Sequence, residues 1–298
     1  MSRRGIIIAS FGSIYQDAVE KSIGTIEYKV RDLYEEAVIR RVFLSEALVE
    51  KWNSKFEDLM YTLDEVLQEF ETLSIDEVYI QPITLVADQC YQQMRKQVMK
   101  YVHNRDYNFS QINVGKPLLT SLGVKNYADD YEATLMSIIR HVNTKAINKS
   151  IVLMANGQNQ LEYSTLQLKA MYGNGTNVAV FTTNGFPTFK QALQLLEQMN
   201  HSEVLVVPLA LIGSSHLMDY LGGDRSDSIY ALLGQEGYSV SIWNEGLGEN
   251  PYIQELFIRH LAQAIRMGER KKGTQKTGVS SFDQSRCTLD RQRGTMIS

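Results

Sequence analysis

The chain has 298 residues, 44% hydrophobic and 21% charged, with a net charge of −4. That is enough to bury one large core or two ordinary ones in a globular protein. The same totals exclude a basic nucleic-acid footprint, a bilayer span of roughly 18 apolar residues and, with two cysteines, a disulfide framework.

The N-terminus Met1-Ser2-Arg3-Arg4 is basic, but only residues 5–9 follow as an apolar run. That is too short for a signal-peptide core, so a cytoplasmic protein is expected. Residues 5–10 read as a buried strand, and Phe11-Gly12-Ser13 as the turn that ends it. A helix fits 15–35. A strong strand follows at 78–86, a helix at 89–102, a strand-like piece at 112–119 and a helix at 128–144. The pattern then restarts. Strands are expected at 151–154, 178–181, 204–212 and 238–243, with helices at 161–171, 186–199 and from 216 to 221. Asn250 caps a last helix with Pro251 at its first position, running to about Met267. Strands alternating with helices imply parallel sheets covered on both faces.

One segment occurs twice. E-V-Y-I-Q-P-I-T-L-V-A-D-Q-C at 77–90 matches E-V-L-V-V-P-L-A-L-I-G-S-S-H at 203–216. Glu77 falls on Glu203, Pro82 on Pro208 and Cys90 on His216. Two copies of one α/β half are expected: residues 1–127 and 128–268. Residues 269–298 form a polar tail with seven basic and three acidic residues and little apolar periodicity, expected to stay disordered.

Ligands of such sheets bind beyond the carboxyl ends of the strands. Cys90 and His216 are therefore placed at equivalent strand ends, expected to face one cleft and to serve as metal ligands. Neutral imidazole suits cobalt, iron, nickel or zinc and is a base near neutral pH, so His216 is also the candidate catalytic residue. Cys90 would need a lowered pKa to bind metal as thiolate. Asp88 is a carboxylate at the same turn. No G-x-G-x-x-G, Walker loop or G-x-S-x-G elbow is present.

The stretch Gly246-Leu247-Gly248-Glu249-Asn250-Pro251, continued by Y-I-Q-E-L-F-I-R-H-L-A-Q-A-I, resembles the C-terminal signature of the class II chelatases. Within them it is most similar to the anaerobic sirohydrochlorin cobaltochelatases. The segment I-A-S-F-G-S at 8–13 looks like that family's first strand end. V-G-K-P-L-L at 114–119 and P-L-A-L-I at 208–212, running on to His216, also look like family segments. The resemblance covers about 5–266. It implies two similar Rossmann-like (chelatase-like) parallel-sheet halves around a tetrapyrrole cleft.

The family's metal-site residues carry over poorly. Its G-H-G turn is Ala155-Asn156-Gly157 here, and its V-E-x-Y-P glutamate falls in a stretch, 181–187, that has no carboxylate. A further family pair becomes Thr84 and Cys90, and only the last histidine is kept, as His216. The resemblance implies a lyase that inserts a divalent metal, cobalt, into a carboxylate-rich macrocycle during anaerobic cobalamin biosynthesis. His216 would be base and metal ligand. Ser10, Phe11, Ser13, Thr84, Asp88, Asn156, Thr182, Ser214, Ser215, Glu249 and Asn250 would line the macrocycle site. No tightly bound cofactor is expected, and cobalt is a substrate. Two alternatives stand: a non-catalytic carrier of tetrapyrrole or haem, with His216 or Cys90 as axial ligand, and an interaction protein that kept only the fold. Partners expected are a tetrapyrrole and a divalent metal, with homo-oligomers open and neither nucleic acid nor membrane involved.

Overall fold

The computed structural model describes residues 3–103, 107–124, 128–157, 159–173, 177–213, 221 and 226–276, the last six by their backbone. Two four-stranded parallel sheets make the frame. The first has β1 (Arg4–Ser10), β2 (Val38–Phe43), β3 (Glu77–Ile83) and β4 (Gln111–Val114), in the order β2-β1-β3-β4. The second has β5 (Ser150–Ala155), β6 (Val178–Thr182), β7 (Glu203–Pro208) and β8 (Ser239–Ile242), in the order β6-β5-β7-β8. The orders are the same. The repeated segment is β3 in one sheet and β7 in the other, beside β1 and β5 respectively. β3 and β5 are buried at every position, as central strands covered on both faces must be.

Between the strands run α1 (Gln16–Val19), a π-helical turn (Glu20–Gly24) and α2 (Thr25–Leu33), then α3 (Glu46–Asn53) and α4 (Leu63–Thr72). Next come α5 (Gln89–His103), α6 (Asp130–Val142), α7 (Gln160–Tyr172), α8 (Phe189–Met199), α9 (Ile229–Gln235) and α10 (Pro251–Lys276). Capping boxes fix α4, through Thr62 and Glu65, and α8, through Thr188 and Gln191. The segment 36–76 had no sequence assignment. β2 escapes detection because Arg40 and Arg41 interrupt its apolar run at a half-buried sheet edge. The strand-like piece at 112–119 is shorter in the structure. β4 ends at Val114, before Gly115.

Packing and chain order part company at the last helix. α10 comes after the second sheet in sequence, yet it packs on β3, β4 and α2 of the first sheet and on α6. Arg4 at the start of β1 pairs with Glu269 on α10 at 2.9 Å. Ile6, Ile8 and Tyr79 from the first sheet share one core with Leu153, Leu205 and Val207 of the second, bridged by Tyr131, Leu135, Phe257 and Leu261. Each such fully buried side chain contributes roughly 1.5–3 kcal/mol. A boundary near residue 127 therefore does not divide the packing, and the helix continues past Met267 to Lys276. Among the described residues no helix is long and apolar enough to cross a membrane.

Candidate functional site

In each sheet the chain leaves the paired central strands in opposite directions, between β1 and β3 and between β5 and β7. The carboxyl ends of these strands open on a shared cleft of about 270 Å³. β1 contributes Ser10, the loop after β3 contributes Thr84 and Asp88, and the first turn of α5 contributes Cys90. The turn after β5 contributes Asn156, and the loop after β7 contributes Leu209 and Leu211. Residues from both repeats thus meet in one space.

Ser10 is 3% exposed, and its Oγ finds no hydrogen-bond partner among the described residues. A buried hydroxyl left unpaired is costly, and one at a cleft wall is placed to serve a ligand. Phe11 beside it is 60% exposed and also lines the cleft. Thr84 Oγ1 donates to the Val86 carbonyl at 3.2 Å, and Asp88 Oδ1 accepts from the Tyr91 amide at 2.9 Å, capping α5. Asn156 Oδ1 accepts from Thr183 Oγ1 at 3.1 Å. The Cys90 thiol is free and half-buried. Burial, and then the Asp88 charge, push its pKa up to about 11. Thiolate formation is therefore disfavoured at neutral pH.

Sequence reasoning missed Tyr163, which enters the cleft from α7; Asn159, in the strand-end segment just before that helix, lines the cleft too. Burial raises the Tyr163 hydroxyl to about 12, so it stays a neutral donor and acceptor. Its signal in the sequence is one aromatic near the start of a helix, which carries no distinguishing mark.

Several expected site residues have other tasks. Ser13 Oγ accepts from the Tyr15 amide at 3.2 Å and does not line the cleft. Thr182 is buried and borders a separate hollow with Phe181 and Asp227. Glu249 Oε1 accepts from the Gly246 amide at 3.0 Å. Asn250 is 1% exposed; its Nδ2 donates to the Ser137 carbonyl at 3.0 Å and its Oδ1 accepts from the Tyr252 amide at 2.9 Å. Both polar ends of Asn250 are spent inside the fold, which corrects its expected macrocycle contact. His216, Ser214 and Ser215 lie outside the described residues, so the expected meeting of Cys90 with His216 rests on Cys90 alone. Among the described residues no group of three or more His, Cys, Asp or Glu could hold a metal.

The G-L-G-E-N-P motif acts through its backbone. Leu247 N donates to the Ala210 carbonyl and Gly248 N to the Leu211 carbonyl, both at 2.8 Å. A Cβ on Gly246 would come within 2.5 Å of the Leu211 carbonyl oxygen, and one on Gly248 within 2.6 Å of Ser22 Cβ. Only glycine permits this contact. The motif thereby holds residues 210–212, the base of the segment that leads to His216.

The comparisons with known proteins agree with this frame. The sirohydrochlorin cobaltochelatase of Salmonella typhimurium strain LT2 is 22% identical over 267 residues, covering 89% of this chain and 97% of its own. The sirohydrochlorin chelatase SirB of Bacillus subtilis subspecies spizizenii, solved with cobalt, superposes with a TM-score of 0.61 at 13% identity, covering 90% of this chain and 98% of that one. The multi-domain DR2241 of Deinococcus radiodurans superposes with a TM-score of 0.53 at 11% identity, covering 89% of this chain and 56% of its own. The family model described as cobalt chelatase (CbiK) matches residues 4–266, from the first residue of β1 to deep within α10. Both sheets, the shared cleft and most of the helix that joins them fall inside that match, and the chain belongs to the CbiK cobalt chelatase family.

Proposed function

We propose that the protein inserts cobalt into sirohydrochlorin, in the cleft between the carboxyl ends of its two sheets. The observation that carries this reading is the cleft itself, built from equivalent strand ends of two repeats in a chain that matches the family from residue 4 to 266. Insertion requires the macrocycle to lose two pyrrole protons as the dication enters, so a base must stand near the ring. We assign that base, and the protein's metal ligand, to His216. Cys90 is the weaker candidate, because its raised pKa leaves it a thiol at neutral pH. Ser10 Oγ donates to a substrate carboxylate, Thr84 and Asn156 line the macrocycle edge, and Phe11 and Tyr163 offer it apolar faces.

The second reading is a carrier of preformed metallo-tetrapyrrole such as haem. Asn156 favours it. That side chain stands at the turn after β5, tied to Thr183, and an amide neither takes a proton nor binds cobalt well at neutral pH. Visible spectra separate the two readings. The protein with metal-free sirohydrochlorin and Co²⁺ should give the cobalt-chelate spectrum at a rate above the protein-free mixture. A Soret shift with haem and no rate above background would establish the carrier instead.

A further inference from the structure

α7 is apolar on two opposite faces. Its inner face buries Tyr163, Leu166 and Ala170. Its outer face carries Leu161, Leu168 and Tyr172, which are 75%, 52% and 82% exposed, with Met171 beside them at 48%. Steps of seven and four residues set the first three on one line along the helix. None of the four lines the cleft. A surface helix ordinarily turns polar residues away from the core, and single exposed apolar side chains are common, but an aligned set is not.

The stripe holds no charge and no unspent hydroxyl. Thr165, in line between Leu161 and Leu168, donates Oγ1 to the Leu161 carbonyl at 2.7 Å, and Ser164 Oγ donates to the Gln160 carbonyl. One edge of the stripe is Ser164 and Met171, both uncharged. Lys169 stands on the other edge, its charge compensated by Asp129. Glu162 shares that edge, seven residues before it.

We infer that this face docks a second copy of the chain, α7 against α7, antiparallel about a two-fold axis. An isologous contact needs a patch that complements itself. Here the two-fold sets Leu161 against Tyr172 at both ends and Leu168 against the small Thr165 in the middle, so large side chains meet small ones. An antiparallel copy also brings each Glu162 toward the other's Lys169, where a parallel one would oppose like charges. The four apolar side chains together expose on the order of 500 Å², the size at which a patch marks an interaction site. Against its copy that makes about 1,000 Å², the lower bound for a specific interface and enough for a weak, reversible dimer. The stripe lies opposite the side on which Tyr163 meets the cleft, so the second copy leaves the cleft open.

Sedimentation of the full chain across micromolar concentrations tests this. A monomer–dimer equilibrium is expected with a Kd of roughly 1–100 µM, little changed by salt because the contact is apolar. Leu168→Lys sets like charges across the two-fold and should weaken the dimer by about tenfold or more, with the urea midpoint of the monomer unmoved. Leu59→Lys, at an equally exposed leucine between α3 and α4, should leave the dimer as it is. In a Cys90→Ser/Cys287→Ser background, chains with Leu161→Cys should form disulfides with chains with Tyr172→Cys faster than either does with its own kind. Like positions would lie about 16 Å apart along the helix axis, beyond disulfide reach. A chain that stays monomeric well above 100 µM, a dimer that survives Leu168→Lys, an equal loss in Leu59→Lys, or cross-linking without preference for the mixed pair overturns the inference. So does a dimer that appears only after truncation at Lys276, which would give the face to residues 277–298 instead.

Discussion

Replacing Asn250 with alanine separates scaffold from site. Asn250 caps α10 through its Oδ1 contact with the Tyr252 amide and ties that helix to α6 through Nδ2 on the Ser137 carbonyl. Loss of an N-cap costs about 1 kcal/mol, within a range of about 0.5–2. The Ser137 carbonyl keeps its own place in the α6 ladder, so losing its second donor costs the net value of one hydrogen bond, about 0.5–1.5 kcal/mol. Together Asn250→Ala should destabilise the protein by about 1–3.5 kcal/mol. Asn250→Ser restores the cap but not the tie and should recover about 1 kcal/mol of this. Urea denaturation measures both, as a lower midpoint at an unchanged slope. Cobalt insertion per folded molecule should stay within a factor of about two of the parent, since ~0.4 kcal/mol is the most expected at a site Asn250 does not touch. A variant that keeps its stability within about 0.5 kcal/mol but loses insertion would refute the reasoning and return Asn250 to the substrate site.

Asp130→Asn should cost about 3–5 kcal/mol, because it leaves His260 buried beside a neutral partner; a urea midpoint near the parent's would contradict this. Burial alone would raise the Asp130 carboxyl, but the His260 hydrogen bond and charge, the Ser121 amide and Lys116 outweigh it, and its pKa falls below 3.8. The stability it lends is therefore full above that unfolded value and drains as pH falls through the lower folded one, a window that should flatten in Asp130→Asn. In a Cys287→Ser background, iodoacetamide should modify Cys90 slowly at pH 7 and about tenfold faster per unit of pH until the pH nears 11, with Asp88→Asn moving the curve to lower pH. A plateau below pH 9 would show that burial does not govern the thiol. Asn156→His should raise the cobalt insertion rate by placing imidazole in the cleft, and His216→Ala should abolish it. If His216→Ala inserts cobalt at the parent rate, the base is elsewhere.

The strands were legible where burial is symmetric. β1, β3, β5 and β7 are apolar runs bounded by turns, and the recurrence of one run exposed the twofold build of the molecule. β2 was not legible, because half of an edge strand faces solvent and its arginines mask the period. Nor was the partner of α10. An amphipathic helix states that it will be buried, but not against which sheet. In the site, Ser10, Thr84, Asp88, Cys90 and Asn156 were found from strand ends, which topology places together. Asn250 is spent inside the fold instead, because a capping turn and a ligand-binding turn use the same residue types. Tyr163 reaches the cleft from a helix, and nothing local marks it.

The placement of α10 also sets an order on biosynthesis. The first sheet can form its strand ladder once β4 has been made, but Phe257 and Leu261, which cover its inner face, are made much later. At the usual 5–20 residues per second the delay is on the order of ten seconds. During that time Ile6, Ile8 and Tyr79 lack the helix that covers them, and the nascent chain is open to holdase chaperones or to its neighbours on a polysome. Nonsense or frameshift lesions between residues 115 and 251 would then be more damaging than their distance from the cleft implies. They release a first half whose strands and loops are intact but whose inner face was never closed.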